Sequence, residues 1–227
     1  MRTKIIYEDD DILVIHKPPG LATQAKGVGQ MDVVSELKSY LMKSGAKQPY
    51  AGIVHRLDQP VEGLLVFGKN QKATAKLTAG LKNSQLNKKY YATICGNIPK
   101  DCGKLVDYMY KSAEQRAEIV PESESGKNGV VKAVLSYEVK SRNENCCVVD
   151  VSLETGRFHQ IRAQFAHAGF PLLGDRKYGT DRSEQVSREL GVRNVALLAY
   201  ELSVVHPTTG EALHFSIESQ LPGYQNS

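Results

Sequence analysis

No apolar run in this 227-residue chain approaches the roughly 18–20 residues that a membrane-spanning helix needs. The N-terminus, Met1-Arg2-Thr3-Lys4-Ile5-Ile6-Tyr7, runs straight into Glu8-Asp9-Asp10-Asp11 and lacks the apolar core of a secretory signal, so the expected location is the cytoplasm. Cysteine is scarce. Cys95, Cys102, Cys146 and Cys147 show no C-x2-C spacing, which argues against a zinc knuckle or a disulfide framework and predicts reduced thiols serving mostly as core filler. Charge of one sign is not in large excess either. A net charge of +4 is a mild basic bias shared by many proteins with no polyanion partner. There is no internal repeat. What remains, with 41% hydrophobic and 24% charged residues, is a globular chain long enough to bury a substantial core.

The order of patterns predicts an α+β fold built on a largely antiparallel, mixed β-sheet flanked by helices and loops, in a single domain. A short apolar strand at 12–16 is stopped by Lys17-Pro18-Pro19-Gly20, where two prolines and a glycine force a turn. After a loop at 27–30, Asp32 is placed to cap a helix with apolar Val33, Val34, Leu37 and Leu41, fraying near Gly45. A strand ends at Phe67, a helix follows over 71–81, and a strand rich in β-formers covers 90–95. Strands are expected at 103–110, 117–120, 131–139 and 146–153, with 121–129 as a hairpin tip. A helix is expected over 158–168, stopped by Gly169, then a mobile segment at 180–191. Final strands at 195–205 and 213–217 flank the turn His206-Pro207-Thr208-Thr209-Gly210.

Three constellations carry possible chemistry. In His55-Arg56-Leu57-Asp58, followed by Gln59-Pro60-Val61-Glu62-Gly63 and the apolar Leu64-Leu65-Val66-Phe67, a carboxylate sits at the mouth of a buried strand. Asp58 there is either a nucleophile or general base, or a turn cap ahead of Pro60. In Thr155-Gly156-Arg157-Phe158-His159-Gln160-Ile161-Arg162 a glycine turn opens the expected helix. Arg157 and His159 then fall in a first turn whose backbone N–H groups suit an anion, and Arg162 either reaches inward to a carboxylate or lies on the surface. In Lys88-Lys89-Tyr90-Tyr91-Ala92, strand alternation puts Tyr90 and Ala92 on one face and Tyr91 on the other. Lys69, Lys72 and Lys76 recur at helical spacing, with Lys82, Lys88 and Lys89 beyond. Alone they are a solvated face; beside a catalytic carboxylate they form a track for a phosphate backbone.

Taken in order, these stretches closely resemble the RluA-type RNA pseudouridine synthases. The resemblance rests on Lys17-Pro18-Pro19-Gly20-Leu21, on His55-Arg56-Leu57-Asp58 with Gly63 behind it, and on Lys88-x-Tyr90-x-Ala92-x-Ile94-x-Gly96. It continues through Thr155-Gly156-Arg157-x-His159-Gln160-Ile161-Arg162 and Gly169-x-Pro171-x-x-Gly174-Asp175-x-x-Tyr178-Gly179, and so covers nearly the whole chain. It implies the pseudouridine synthase fold and an isomerase that detaches uracil from one ribose in RNA, rotates it and rejoins it through carbon 5, with neither metal nor organic cofactor. Carried over, Asp58 is the essential carboxylate, Tyr90 stacks on the target base, and Arg162 pairs with Asp58. Arg56 fills the space left by the flipped nucleotide, and His55 and Leu57 shape the pocket. Arg157, His159, Gln160, Lys72 and Lys76 are the remaining RNA-binding candidates. Physical chemistry points the same way. An arginine within about 4–6 Å favours an ionised carboxylate, and a planar guanidinium can offset the few kcal/mol of extruding a base.

The chain departs from that family's pattern in two places. Val61-Glu62 stands where Thr-Ser is common, and Glu62 is expected to face solvent. Leu198 stands where a histidine commonly precedes the alanine, here Ala199. No separate N-terminal RNA-binding module is expected, since 12–21 already belongs to the catalytic region. The expected substrate is ribosomal RNA, with transfer RNA second, acted on by a monomer. Two rivals remain. One is a glycoside hydrolase pairing Asp58 with Glu62 or Asp175, which needs its two acids about 5–10 Å apart. The other is an RNA-binding protein that has lost catalysis.

Overall fold

The computed structural model describes residues 1–25, 27, 29–83 and 85–224. Val28, within the loop expected at 27–30, and the side chain of Lys82 lie outside the described residues. The chain folds as two compact units, Met1–Lys88 with Ala199–Glu218, and Lys89–Leu198 with Ser219–Ser227.

In the first unit, β1 (Lys4–Glu8) pairs antiparallel with β2 (Ile12–Lys17), which pairs antiparallel with β4 (Glu62–Gly68); the short β3 (Gly52–Ile53) also pairs with β4. Residues 12–15 and 64–67 are fully buried on both strand faces, so these strands read as continuous apolar runs rather than alternating ones. Ile12, Val14, Leu64 and Val66 share one face and pack with Leu77 of α2 (Gln71–Lys82) and with Leu202 and Val204. Each such side chain contributes about 1.5–3 kcal/mol of burial. α1 (Val33–Lys43) starts as expected, with the Asp32 carboxylate accepting from Ser35 N–H, and Asn70 caps α2 in the same way through Ala73 N–H.

β1 went unread in the sequence, and a bulge between Ile5 and Tyr7 breaks its alternation. β4 carries a close backbone approach at Gly63. Its φ is +137°, and a Cβ there would meet the Ala199 backbone N and O at 2.5 Å. Neither atom can move aside cheaply. Gly63→Ala is therefore expected to lower stability by about 1–3 kcal/mol, read as a drop in the urea midpoint at unchanged m-value.

In the second unit, β5 (Leu86–Cys95, whose first residues belong to the other unit), β9 (Cys146–Leu153), β8 (Val131–Arg142), β6 (Cys102–Lys111) and β7 (Ala117–Val120) follow one another in that order. All the pairings from β5 to β7 are antiparallel. Tyr90 and Ala92 lie buried opposite Val151 and Val149. Tyr91 points the other way, its ring 4.8 Å from that of Tyr224.

Three expectations fail in this unit. Residues 121–129 are not a hairpin tip, because β7 pairs with β6 and not with β8. This segment, with a 3₁₀ turn at Glu122–Glu124, carries the chain from one side of β6 to the other. The segment expected to be mobile at 180–191 holds a helix, α4 (Asp181–Glu189), closed by a reciprocal Thr180–Ser183 capping box and anchored by buried Val186 against Cys95, Leu173 and Ala196. The helix expected from 158 begins later, as α3 (Gln160–His167), because His159 adopts a left-handed backbone at φ +53°. Arg157 and His159 therefore precede the helix instead of forming its first turn. Gly169, at φ +89°, follows its C-cap as expected.

Candidate active site

Asp58 sits half-buried on a turn in which its own carbonyl accepts from Val61 N–H at 3.0 Å. The two neighbours of Asp58 are held from one side by the 17–23 turn. Thr23, buried, uses a single hydroxyl to donate to Leu57 O at 2.9 Å and to accept from Leu57 N–H at 3.2 Å. Gln59 O accepts from Gly20 N–H at 2.8 Å and from the Lys17 ammonium at 3.2 Å. Lys17 is fully buried, and its other contacts are Leu21 O at 2.8 Å and Pro18 O at 3.0 Å, one carbonyl for each ammonium proton. The turn imposed by Pro18-Pro19-Gly20 aims those carbonyls inward, with Gly20 at φ +78°. The Asp58 loop is thus fixed at both flanking peptides, which limits the motion of the carboxylate between them.

Burial pushes the Lys17 ammonium down to about 8 from an ordinary 10.5, while the Asp58 and Glu62 carboxylates pull it back up. Between about 8 and 10.5 the unfolded chain holds a proton that the folded chain has shed. The contribution of Lys17 to stability therefore rises with pH across that window. Lys17→Met is expected to flatten this rise in a series of urea midpoints; a slope equal to that of the wild type would contradict it.

His55 is buried, and burial, with Lys88 adding to it, holds its imidazole well below the ordinary range and so neutral. Its Nε2 accepts from Val66 N–H at 3.3 Å, which places the ring proton on Nδ1, an atom with no partner among the described residues. Leu57 is buried and Arg56 is exposed. Glu62, expected to face solvent, keeps 37% of its side chain exposed and in addition accepts from His16 Nε2 at 2.8 Å across the β2–β4 pair. On α2, Lys72 and Lys76 are both exposed, and the Lys76 ammonium also donates to Pro207 O at 2.6 Å. Lys69 is taken up by Glu8 at 2.8 Å.

In the second unit, α3 is buried nearly all round, so its polar side chains need internal partners. Gln160 Oε1 accepts from Arg157 N–H and from Thr155 Oγ1, both at 2.9 Å, and its amide donates to Gln164 Oε1 at 2.9 Å. Gln164 in turn donates to Asp107 at 2.7 Å. Gln160 therefore acts here by shaping the loop ahead of α3. Arg162 is buried and forms a two-pronged pair with Asp175, Nε at 2.7 Å and Nη2 at 2.8 Å. Asp175 Oδ1 also accepts from the backbone N–H groups of Lys177 and Tyr178. Both of its oxygens are occupied as acceptors, which removes it as the second acid of a glycoside hydrolase. His159 Nδ1 lies 2.8 Å from the Tyr178 hydroxyl, whose oxygen accepts from Ala117 N–H, and Arg157, exposed, reaches Lys132 O through Nε at 3.0 Å. Sequence reasoning passed over Thr23, Lys17, His16 and Tyr178 as site residues. The signal available for Lys17 and Tyr178 was their place inside the Lys-Pro-Pro-Gly and Gly-Asp-x-x-Tyr-Gly motifs; His16 and Thr23 lie just outside the first of these and carried no such signal.

Residues 11–167 match the family profile of the RNA pseudouridylate synthases, a stretch that contains Asp58, Tyr90 and Arg162. The chain belongs to the RNA pseudouridylate synthase family. Among relatives, the ribosomal large subunit pseudouridine synthase D of Pasteurella multocida is 35% identical over 218 residues, covering 93% of this chain and 65% of that protein. An uncharacterized RNA pseudouridine synthase of Bacillus subtilis, YlyB, is 35% identical over 227 residues, with 98% and 70% covered. The chain thus spans about two thirds of the length of these RNA pseudouridylate synthases. The solved structure of human RNA pseudouridylate synthase domain containing 4 superposes with a TM-score of 0.76 at 24% identity, covering 96% of this chain and 88% of that one. This likeness bears out the α+β fold with its mostly antiparallel sheet. Among the described residues no helix is long and apolar enough to cross a membrane, and no cluster of His, Cys, Asp and Glu is arranged to hold a metal ion.

Proposed function

We propose that this chain, acting as one catalytic domain and as a monomer, isomerises a specific uridine of ribosomal RNA to pseudouridine; transfer RNA is the second candidate substrate. The bond from N1 of uracil to C1′ of the ribose breaks. The detached base rotates, C5 bonds to C1′, the proton on C5 leaves, and N1 takes one up. Asp58 supplies the carboxylate at C1′, where positive character develops as the bond opens. Tyr90 stacks on the detached base so that it is retained and not lost to water, and Arg162 supports the ionised form of Asp58. Arg56 occupies the space left by the extruded nucleotide, and Arg157, His159, Lys72 and Lys76 hold RNA.

The observation that carries this reading is the double tether of the Asp58 loop, Thr23 on Leu57 and Lys17 with Gly20 on Gln59. A carboxylate serving only as a turn cap needs no such tether. The ribosomal names of several relatives support the choice of RNA. The test incubates purified protein with unmodified ribosomal RNA transcript and separates the nucleosides. Pseudouridine with no free uracil is expected. Free uracil would mean a hydrolase, and RNA bound but unchanged would mean a binding protein. Changing Lys72 and Lys76 to Met should also weaken RNA binding and reduce its log–log salt slope by about 0.7–0.9 per lysine. An unaltered slope would return α2 to the role of a solvated face.

A further inference from the structure

Phe158 lies inside the Thr155–Arg162 motif, has no part in the proposed reaction, and is an exposed large apolar residue, at 37% exposure. Exposed phenylalanines are common and mean little alone. This one is built into a stack. Beneath it lies the His159 imidazole, at a centroid distance of 3.7 Å and an interplanar angle of 21°. That imidazole is itself fixed, by the left-handed backbone at His159, by the bond from Nδ1 to the Tyr178 hydroxyl, and by the Tyr178 ring edge-on at 5.6 Å. Over Phe158 sits the ammonium of exposed Lys111, 4.7 Å from the ring centre. Arg157 precedes it in the chain, exposed and leaning on β8 through Lys132 O. The ring is therefore held by a fixed stacking partner, and the ammonium that lies over it is the end of a flexible, solvated side chain.

From this stack we infer that Phe158 is a platform for an unpaired RNA base, one that takes the place of the Lys111 ammonium over the ring and passes Lys111 to a phosphate. The inference rests on the reading of the chain as an RNA enzyme and assigns it a second base contact besides the target uridine. One comparison of magnitude and one of charge pairing favour the exchange. An exposed cation–π contact is weaker than a base stacked on an aromatic ring, so the ring gains by trading one for the other. The displaced ammonium is not lost, because a phosphate on either side of the stacked nucleotide gives it a charge partner and releases a counterion. A paired base in a duplex has both faces occupied and cannot make the exchange. The occupant is therefore a base in a single strand or a loop.

The chain has no tryptophan, so Phe158→Trp introduces a single fluorescent reporter at the platform itself. Titrating that variant with a single-stranded oligouridylate of about 12 nucleotides, the span of one compact single-strand site, should quench its emission along the same curve that anisotropy of labelled RNA reports for binding. The equivalent fully paired duplex should leave the emission unchanged. Phe158→Ala should weaken binding of the single strand about tenfold, with Phe158→Trp near wild type, and Lys111→Met should lower the salt slope by about 0.7–0.9. RNA that binds without altering the emission, quenching by duplex equal to that by single strand, or wild-type affinity in Phe158→Ala would each overturn the platform while leaving the enzyme reading intact. Failure of the wild-type protein to bind any RNA would overturn both.

Discussion

Replacing Asp58 with alanine is expected to remove pseudouridine formation, by at least about 10²–10⁴-fold, while RNA binding stays near wild type. The size of the effect follows from placement. Thr23 and the Lys17–Gly20 pair hold the peptides on either side of Asp58, so a substitution of its side chain leaves the loop anchored through groups it does not share. What is lost is the carboxylate alone. Glu62 provides the internal contrast. It lies four residues further on, but its carboxylate accepts from His16 at 2.8 Å, at the start of β4. Glu62→Gln should keep most of the activity. The opposite pattern, with Glu62→Gln inactive and Asp58→Asn active, would replace the isomerase by a hydrolase using paired acids. Both variants are assayed by nucleoside separation after incubation with the same transcript.

The second large effect is on stability. Asp175→Ala strips a buried guanidinium of a two-pronged partner whose side chain is 0% exposed, and removes the acceptor for the Lys177 and Tyr178 N–H groups. Breaking a buried ion pair from one side costs about 3–5 kcal/mol, because the remaining charge has lost its compensation. Against a total stability of about 5–15 kcal/mol for an ordinary domain, that is a large fraction. Urea unfolding should show it directly. Replacing both partners together, Arg162→Met with Asp175→Leu, should be less damaging than the single change, giving a coupling energy of about 0.5–3 kcal/mol. Additive losses, or a loss below about 1 kcal/mol for Asp175→Ala, would mean the pair is solvated in solution and does not fix Arg162.

The parts of the fold legible in the sequence are those specified by neighbours in sequence. α1 and α2 carry their own caps, Asp32 and Asn70, ahead of apolar residues at helical spacing. β2 and β4 are apolar runs of strand length bounded by turn residues. What was misread depends on partners distant in the chain. α4 has Val186 as its main apolar anchor in an otherwise polar segment, and only packing against Cys95, Leu173 and Ala196 makes that one residue sufficient. The start of α3 is displaced because His159 is held left-handed by Tyr178, which no spacing near His159 announces. The pairing of β7 with β6, not β8, reflects a choice between two edges of the same strand. At the site, the motif residues were legible as chemistry, but their supports were not. The burial of Lys17 among three carbonyls and the link from Glu62 to His16 both require that β2, β4 and the 17–23 turn already be in register.

The central claim is that this chain converts uridine to pseudouridine in RNA through Asp58. Mapping pseudouridine across total RNA from cells that lack the gene, and from the same cells supplied with the wild-type or the Asp58→Ala protein, tests it most directly. The account predicts one or a few positions, in ribosomal RNA first, that lose the modification with the gene, regain it with the wild-type protein and stay uridine with Asp58→Ala. An unchanged map without the gene, or restoration by Asp58→Ala, would contradict it.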